Sequence, residues 1–224
     1  IYIKHLKGAI QMIGDMQTWT PNVAGIIEHA REIHPKTEII SRLVSGEIHR
    51  SNYENVCIRA RKLASALEKD GIQNGDVVAT LALNTYRHLE MYYGISGMGA
   101  VTHTLNFRLH PEQAVYIINH AEDKMIFVEL PFVPILEALQ DNLKTVEKYV
   151  VLCEVEEMPK TSLKNAISYE EYIEDGDENY KWPNLADDAA CALCYTSGTT
   201  GNPKGVLYSH KSNIIHAQAS LTAL

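Results

Sequence analysis

No apolar run in this chain approaches the roughly 18 residues a membrane-spanning helix needs. The first residues are only scattered apolar ones, interrupted by Lys4, His5 and Lys7, and lack the compact apolar segment and cleavage site of a secretory signal. The cytoplasm is therefore the expected compartment. Basic residues are outnumbered, 20 Lys and Arg against 28 Asp and Glu, and no dense Lys/Arg cluster relieves the formal charge of −8, which argues against a nucleic-acid surface. Cysteine is sparse at four residues, Cys57, Cys153, Cys191 and Cys194. Cys191 and Cys194 have redox-motif spacing, but in an extended strand residues three apart point to opposite faces. Two small core residues are the expected reading. No internal repeat or low-complexity tract is present, and 224 residues with 46% apolar and 21% charged content suit a folded domain with a substantial core.

What is present is concentrated between Tyr195 and Val206, which read Tyr-Thr-Ser-Gly-Thr-Thr-Gly-Asn-Pro-Lys-Gly-Val. Glycines let backbone N–H groups approach an anion, and the hydroxyls of Thr196, Ser197, Thr199 and Thr200 add donors. Lys204 supplies the positive charge a polyphosphate needs, in a protein otherwise acidic. The apolar run 189–195 reads as a buried strand and residues 205–208 as the returning one, so the loop is a candidate clamp for ATP phosphates. It is not a Walker A loop, because Lys204 follows Pro203 and precedes Gly205, misplacing both the flanking glycine and the magnesium-binding hydroxyl. A plain Gly/Thr turn between two strands is the alternative.

The run resembles the signature loop of the adenylate-forming enzymes, which include acyl-CoA synthetases, luciferases and nonribosomal-peptide adenylation domains. Residues 83–109 and 118–124 are similar to the corresponding stretches of medium-chain and methylthioalkanoate acyl-CoA ligases. The resemblance runs from about Met12 to the end of the chain. It implies an α/β fold, specifically an incomplete N-terminal large domain with mixed and parallel sheets flanked by helices. It also implies a parent enzyme that activates a carboxylic acid with ATP and transfers it to coenzyme A. Thr196, Ser197, Gly198, Thr199, Thr200, Gly201 and Lys204 would hold the phosphates, with Lys204 acting in catalysis and the Thr196 hydroxyl near the magnesium that accompanies ATP. An aryl-acid ligase, a carrier-protein-loading adenylation domain and an inactive nucleotide-binding remnant are the alternatives. A homodimer is compatible with the complete enzyme. Complete members are more than twice as long, so this chain is expected to be a fragment, inactive alone. Residues 1–11 are expected to be a leader outside the domain, which would occupy 12–224 with its start at Met12.

The pattern along the chain alternates strands and helices. A helix is predicted to begin at Pro21, after Thr20 as N-cap, and to run to His34; residues 38–44 and 47–49 form a hairpin about Ser45-Gly46. Ser51 to Glu54 reads as a capping box opening a helix with the stripe Val56, Ala60, Leu63, Ala64 and Leu67, stopped by Gly71. Strands are predicted at 76–83, 100–105, 124–128 and 148–152, and helices at 86–98, 111–120 and 131–143, implying parallel βαβ units. Residues 154–183 read as an acidic surface connection with one short helix.

Other constellations are weaker. His29 and His34, five apart on a helix, cannot share a metal. His103 and Arg108 could line a cleft, but capping a strand end and pairing with acidic neighbours is preferred. His210 is expected to hold the base of the loop, with Ser209 capping the following helix. Gly94, Gly97 and Gly99 lack dinucleotide-motif spacing and close a helix, so close packing is the better account.

Overall fold

The computed structural model describes residues 3–6, 9–12, 20–196 and 202–222. Strands β1 (Ile3–Leu6) and β2 (Ala9–Met12) pair antiparallel, where the sequence suggested no element before Met12. Helix α1 (Val23–Ile33) starts later than predicted. Its N-cap is Asn22, whose side chain accepts from the Gly25 amide at 3.0 Å, so neither Thr20 nor Pro21 opens the helix.

Strands β3 (Glu38–Arg42) and β4 (Ile48–Asn52) form the expected hairpin, turning through Gly46 at φ 89°. Helix α2 (Tyr53–Lys69) then begins on Asn52, not Ser51. Asn52 ends the β3–β4 ladder opposite Glu38 and caps the helix as well, its Oδ1 accepting from the Asn55 amide at 2.9 Å. The predicted stripe Val56, Ala60, Leu63, Ala64 and Leu67 is completely buried. Gly71, at φ 85°, ends the helix: its amide donates to the Glu68 carbonyl and that of Ile72 to the Leu67 carbonyl, both at 3.0 Å.

The remaining strands are β5 (Val77–Leu81), β6 (Val101–Thr104), β7 (Met125–Val128), β8 (Lys148–Val151), β9 (Ala166–Ser168), β10 (Ala190–Thr196) and β11 (Lys204–Ser209). They make one seven-stranded sheet in the order β11-β10-β6-β5-β7-β8-β9, parallel throughout except for β11 at its edge. Helices α3 (Tyr86–Gly97), α4 (Pro111–Ala121), α5 (Val133–Leu139), α6 (Tyr169–Glu174) and α7 (His210–Thr222) complete the fold. Period-2 alternation splits each buried strand between two cores. Val78, Met125, Phe127 and Val150 pack under α2, α3 and α6, while Ala79, Leu81, Ile126, Val128 and Val151 pack under α4 and α5.

Two expectations need correction. The predicted helix 131–143 is broken into a 3-10 turn (Leu130–Phe132), α5 and a second 3-10 turn (Gln140–Asn142), with Pro131 and Pro134 at the early positions where proline needs no amide partner. Residues 154–183 are not merely a surface connection. They supply the outermost strand β9, and the one short helix expected there, α6, buries Tyr169, Tyr172 and Ile173. Glu170 of α6 accepts two hydrogen bonds from Arg59 of α2, each 2.9 Å, and one from Arg87 of α3, also 2.9 Å.

Candidate functional site

Strand β10 lies beside β6 and runs parallel to it, with Ala192 opposite Thr102 and Leu193 opposite His103. The end of β10 therefore emerges at the carboxyl edge of the parallel strands, where open α/β sheets place their ligands. Its chain turns back as β11, in register from Ala192↔Tyr208 to Thr196↔Lys204. Thr196 and Lys204 thus form the mouth of the hairpin. Both are exposed, the Thr196 hydroxyl donating to the Lys204 carbonyl at 3.4 Å. Among the described residues Lys204 makes no ion pair, which leaves its ammonium available to an anion. Ser197, Gly198, Thr199, Thr200 and Gly201 lie outside the described residues.

The base of the mouth is built by residues that loop chemistry alone does not point to. Tyr195 sits opposite Gly205, and a Cβ on that glycine would meet Leu193 at 3.0 Å and the Tyr195 ring at 3.2 Å. The missing side chain is what lets the ring lie there. The Tyr195 hydroxyl and His120 Nδ1 are 2.6 Å apart, and the ring tilts against His103 with centroids 5.2 Å apart. His103 is completely buried in β6, its Nδ1 bound to both Asp123 carboxylate oxygens at 3.0 and 2.8 Å. Burial pushes the Asp123 carboxyl above its usual range, opposed by the hydrogen bond and charge of His103. His103 therefore lines no cleft and caps no strand end, although it does pair with an acidic neighbour. Nothing in the spacing of His103 and Asp123 signals this pairing, since Asp123 lies in the turn between α4 and β7 and meets a strand that is not the sheet neighbour of β7.

Arg108 lies in the exposed turn after β6, its guanidinium 5.3 Å from the Phe107 ring centroid; among the described residues it meets no carboxylate. His210 is not at the base of the loop. It follows β11 at the opposite end of the hairpin, where its Nδ1 accepts from the Val23 amide at 3.3 Å and ties α7 to α1. Burial lowers its pKa. Ser209 does cap α7, accepting from the Ser212 amide at 3.1 Å. All four cysteines are free thiols, Cys191 and Cys194 among them. Burial raises the pKa of Cys191, which suits a core residue more than a reactive one. No group of three or more His, Cys, Asp or Glu side chains suited to a metal occurs among the described residues.

A family model described as AMP-binding enzyme matches residues 27–223. The chain belongs to the AMP-binding enzyme family. It is similar to 3-methylmercaptopropionyl-CoA ligase of Ruegeria lacuscaerulensis, 44% identical over 94% of this chain and 39% of the relative. It is equally similar to medium-chain-fatty-acid–CoA ligase of Ectopseudomonas oleovorans, 44% identical over 93% of this chain and 38% of that protein. Among solved structures, the anthranilate CoA ligase AuaEII in complex with anthranoyl-AMP superposes with a TM-score of 0.79 at 25% identity, covering 91% of this chain and 37% of that one. The chain thus spans under two-fifths of the length of these proteins, and its fold is the corresponding α/β part. No helix among the described residues is long and apolar enough to cross a membrane.

Proposed function

We propose that the enzyme containing this segment activates a carboxylic acid, of the medium-chain fatty or methylthioalkanoate class, by adenylation and then forms its coenzyme A thioester. The observation carrying this reading is the hairpin mouth at the carboxyl edge of the sheet, with Lys204, which makes no ion pair among the described residues, beside a sequence run of hydroxyls and glycines. The names of the most similar relatives supply the substrate class. In the first half-reaction a carboxylate oxygen bonds to the α-phosphorus of ATP and the bridge to the β-phosphate breaks, releasing pyrophosphate. Negative charge accumulates on the departing group. Fixed donors aimed at developing charge are how such sites lower barriers, and Thr196, Ser197, Gly198, Thr199, Thr200, Gly201 and Lys204 are the donors we assign. In the second half-reaction the thiol sulfur of coenzyme A attacks the acyl carbon and AMP departs.

Magnesium, when bound with the nucleotide, neutralises phosphate charge, and the Thr196 hydroxyl is the protein group offered to it. The same reading takes 12–224 as the domain portion, the cytoplasm as compartment and a homodimer as an allowed assembly. The test is ATP–pyrophosphate exchange with medium-chain acids. In the complete enzyme Lys204→Ala is expected to slow exchange on the order of 10²-fold, with Thr199→Ala/Thr200→Ala acting at the same step. Purified variants that kept the wild-type rate would reduce the loop to a turn and sink the assignment.

A further inference from the structure

The unexplained feature near the hairpin is the buried pair beneath it. His103 and Asp123 are both 0% exposed, and His103 Nε2 is buried without a hydrogen-bond partner among the described residues. Apolar residues at both positions would avoid the desolvated carboxylate and the unpaired nitrogen together, and buried ion pairs are weak devices for stability alone. What such a pair does supply is a defined geometry. The backbone fixes Asp123 from several sides. Its amide donates to the Ile118 carbonyl at 3.2 Å, its carbonyl accepts from the Thr145 hydroxyl at 2.8 Å, and the preceding Glu122 takes the left-handed conformation at φ 57°. The carboxylate in turn holds the imidazole through two contacts to one ring nitrogen. The imidazole meets Tyr195, and Tyr195 is the last residue before the mouth pair Thr196 and Lys204.

We propose that Asp123 and His103 are positioning residues for the hairpin mouth: through Tyr195, clamped between His103, His120 and Gly205, they set where Thr196 and Lys204 stand relative to the sheet edge. The inference rests on the phosphate-binding reading of that mouth. It differs from a general packing role in its direction, because the effect passes to one hairpin and to one substrate. A shift of about 1 Å in a positioned group can cost as much as 10²-fold in rate, so the consequence is measurable although neither residue touches ATP.

The experiment uses the complete enzyme with Asp123→Asn, His103→Leu and Tyr195→Leu. Kinetics are measured separately for ATP and for the acid, together with amide hydrogen exchange. Each variant is expected to lower kcat/KM for ATP roughly tenfold or more, to leave KM for the acid unchanged, and to accelerate exchange in peptides covering 190–209 but not in those covering β5, β7 and β8. Unchanged ATP kinetics would overturn the proposal. So would a parallel loss for both substrates with exchange accelerated across the whole sheet, which is the signature of general packing. Tyr195 is only half-buried, so its variant decides the matter if the two core variants do not fold. If Lys204→Ala proves silent while the exchange coupling between Asp123 and residues 190–209 persists, the phosphate reading fails and the positioning does not.

Discussion

Gly94 and Gly97 show how single atoms decide the packing of α3. A Cβ at Gly94 would lie 2.8 Å from a Leu63 methyl and 2.9 Å from the Ala60 carbonyl oxygen, which belongs to the backbone of α2 and cannot rotate away. At Gly97 it would meet the Trp182 ring at 2.7 Å, and that ring is held by a 2.7 Å hydrogen bond from its Nε1 to Glu28. Alanine in place of a helical glycine gains about 1 kcal/mol of helix propensity, whereas overpacking costs roughly 1–3 kcal/mol. Packing is expected to win, so Gly94→Ala should melt a few degrees below wild type. A higher melting temperature would mean that the α2–α3 contact yields and that the glycine is dispensable. The packing role of these glycines was legible in the sequence because their spacing excluded the nucleotide motif. Which side chains they meet was not legible, since Trp182 arrives from a segment with no periodic pattern.

At the scale of elements, α6 is the instructive case. Six residues make fewer than two turns, so the sequence indicated one short helix between 154 and 183 without fixing its place or its buried face. Its place is set by Glu170 meeting Arg59 and Arg87, a three-way contact that no local pattern encodes. Burial alone would raise the Glu170 carboxyl, but the Arg59 hydrogen bonds and charge, joined by Arg87, outweigh it and hold the group below its ordinary value. A carboxylate lowered in the folded state contributes stability above the unfolded value, near pH 4.5, and loses it as pH falls through the folded value. Glu170→Gln should therefore lower stability on the order of 1–3 kcal/mol near neutral pH and flatten the acid side of the stability profile. Thermal melting from pH 3 to 7 is the check, and two parallel profiles would show that the pair is inert. The long elements were readable for the opposite reason: α2 and the strands β5 to β8 bury continuous stripes, and Gly71 and Pro111 punctuate them. At the site, Thr196 and Lys204 stand where a strand–loop–strand reading puts them. Tyr195, His103 and Asp123 required the sheet order, because β6 and β10 become neighbours only after β5, β7, β8 and β9 are laid down on the far side.

The molecule as a whole is unevenly covered. β11 is an edge strand with Val206, Leu207 and Tyr208 exposed, and α7 exposes Ile215 and Leu221. Between α1 and α7 lies a groove of about 480 Å³ whose lining includes Ile26, Ile214 and Ile215. Apolar surface of this kind beside unpaired edge amides favours association. The 224-residue polypeptide expressed by itself is expected to elute as oligomers in size-exclusion chromatography with light scattering, and Leu207→Lys to shift it toward monomer. A monodisperse wild-type monomer would contradict this. One more consequence lies in the path from β9 to β10. After α6 the chain must traverse the sheet from one edge to the far side of β6, five strand spacings or roughly 24 Å. The contacts it then makes, such as Ala192 with Thr102, join residues far apart in the chain. Non-local pairings of this type form late, because loop closure must be completed before they contribute. A chain arrested partway can own a finished five-stranded platform yet present no hairpin mouth at all. Lys204 then acquires its place only in a molecule in which β10 and β11 have found their neighbours, so that, on the proposed phosphate-binding role, nucleotide capture would double as a reporter of complete folding.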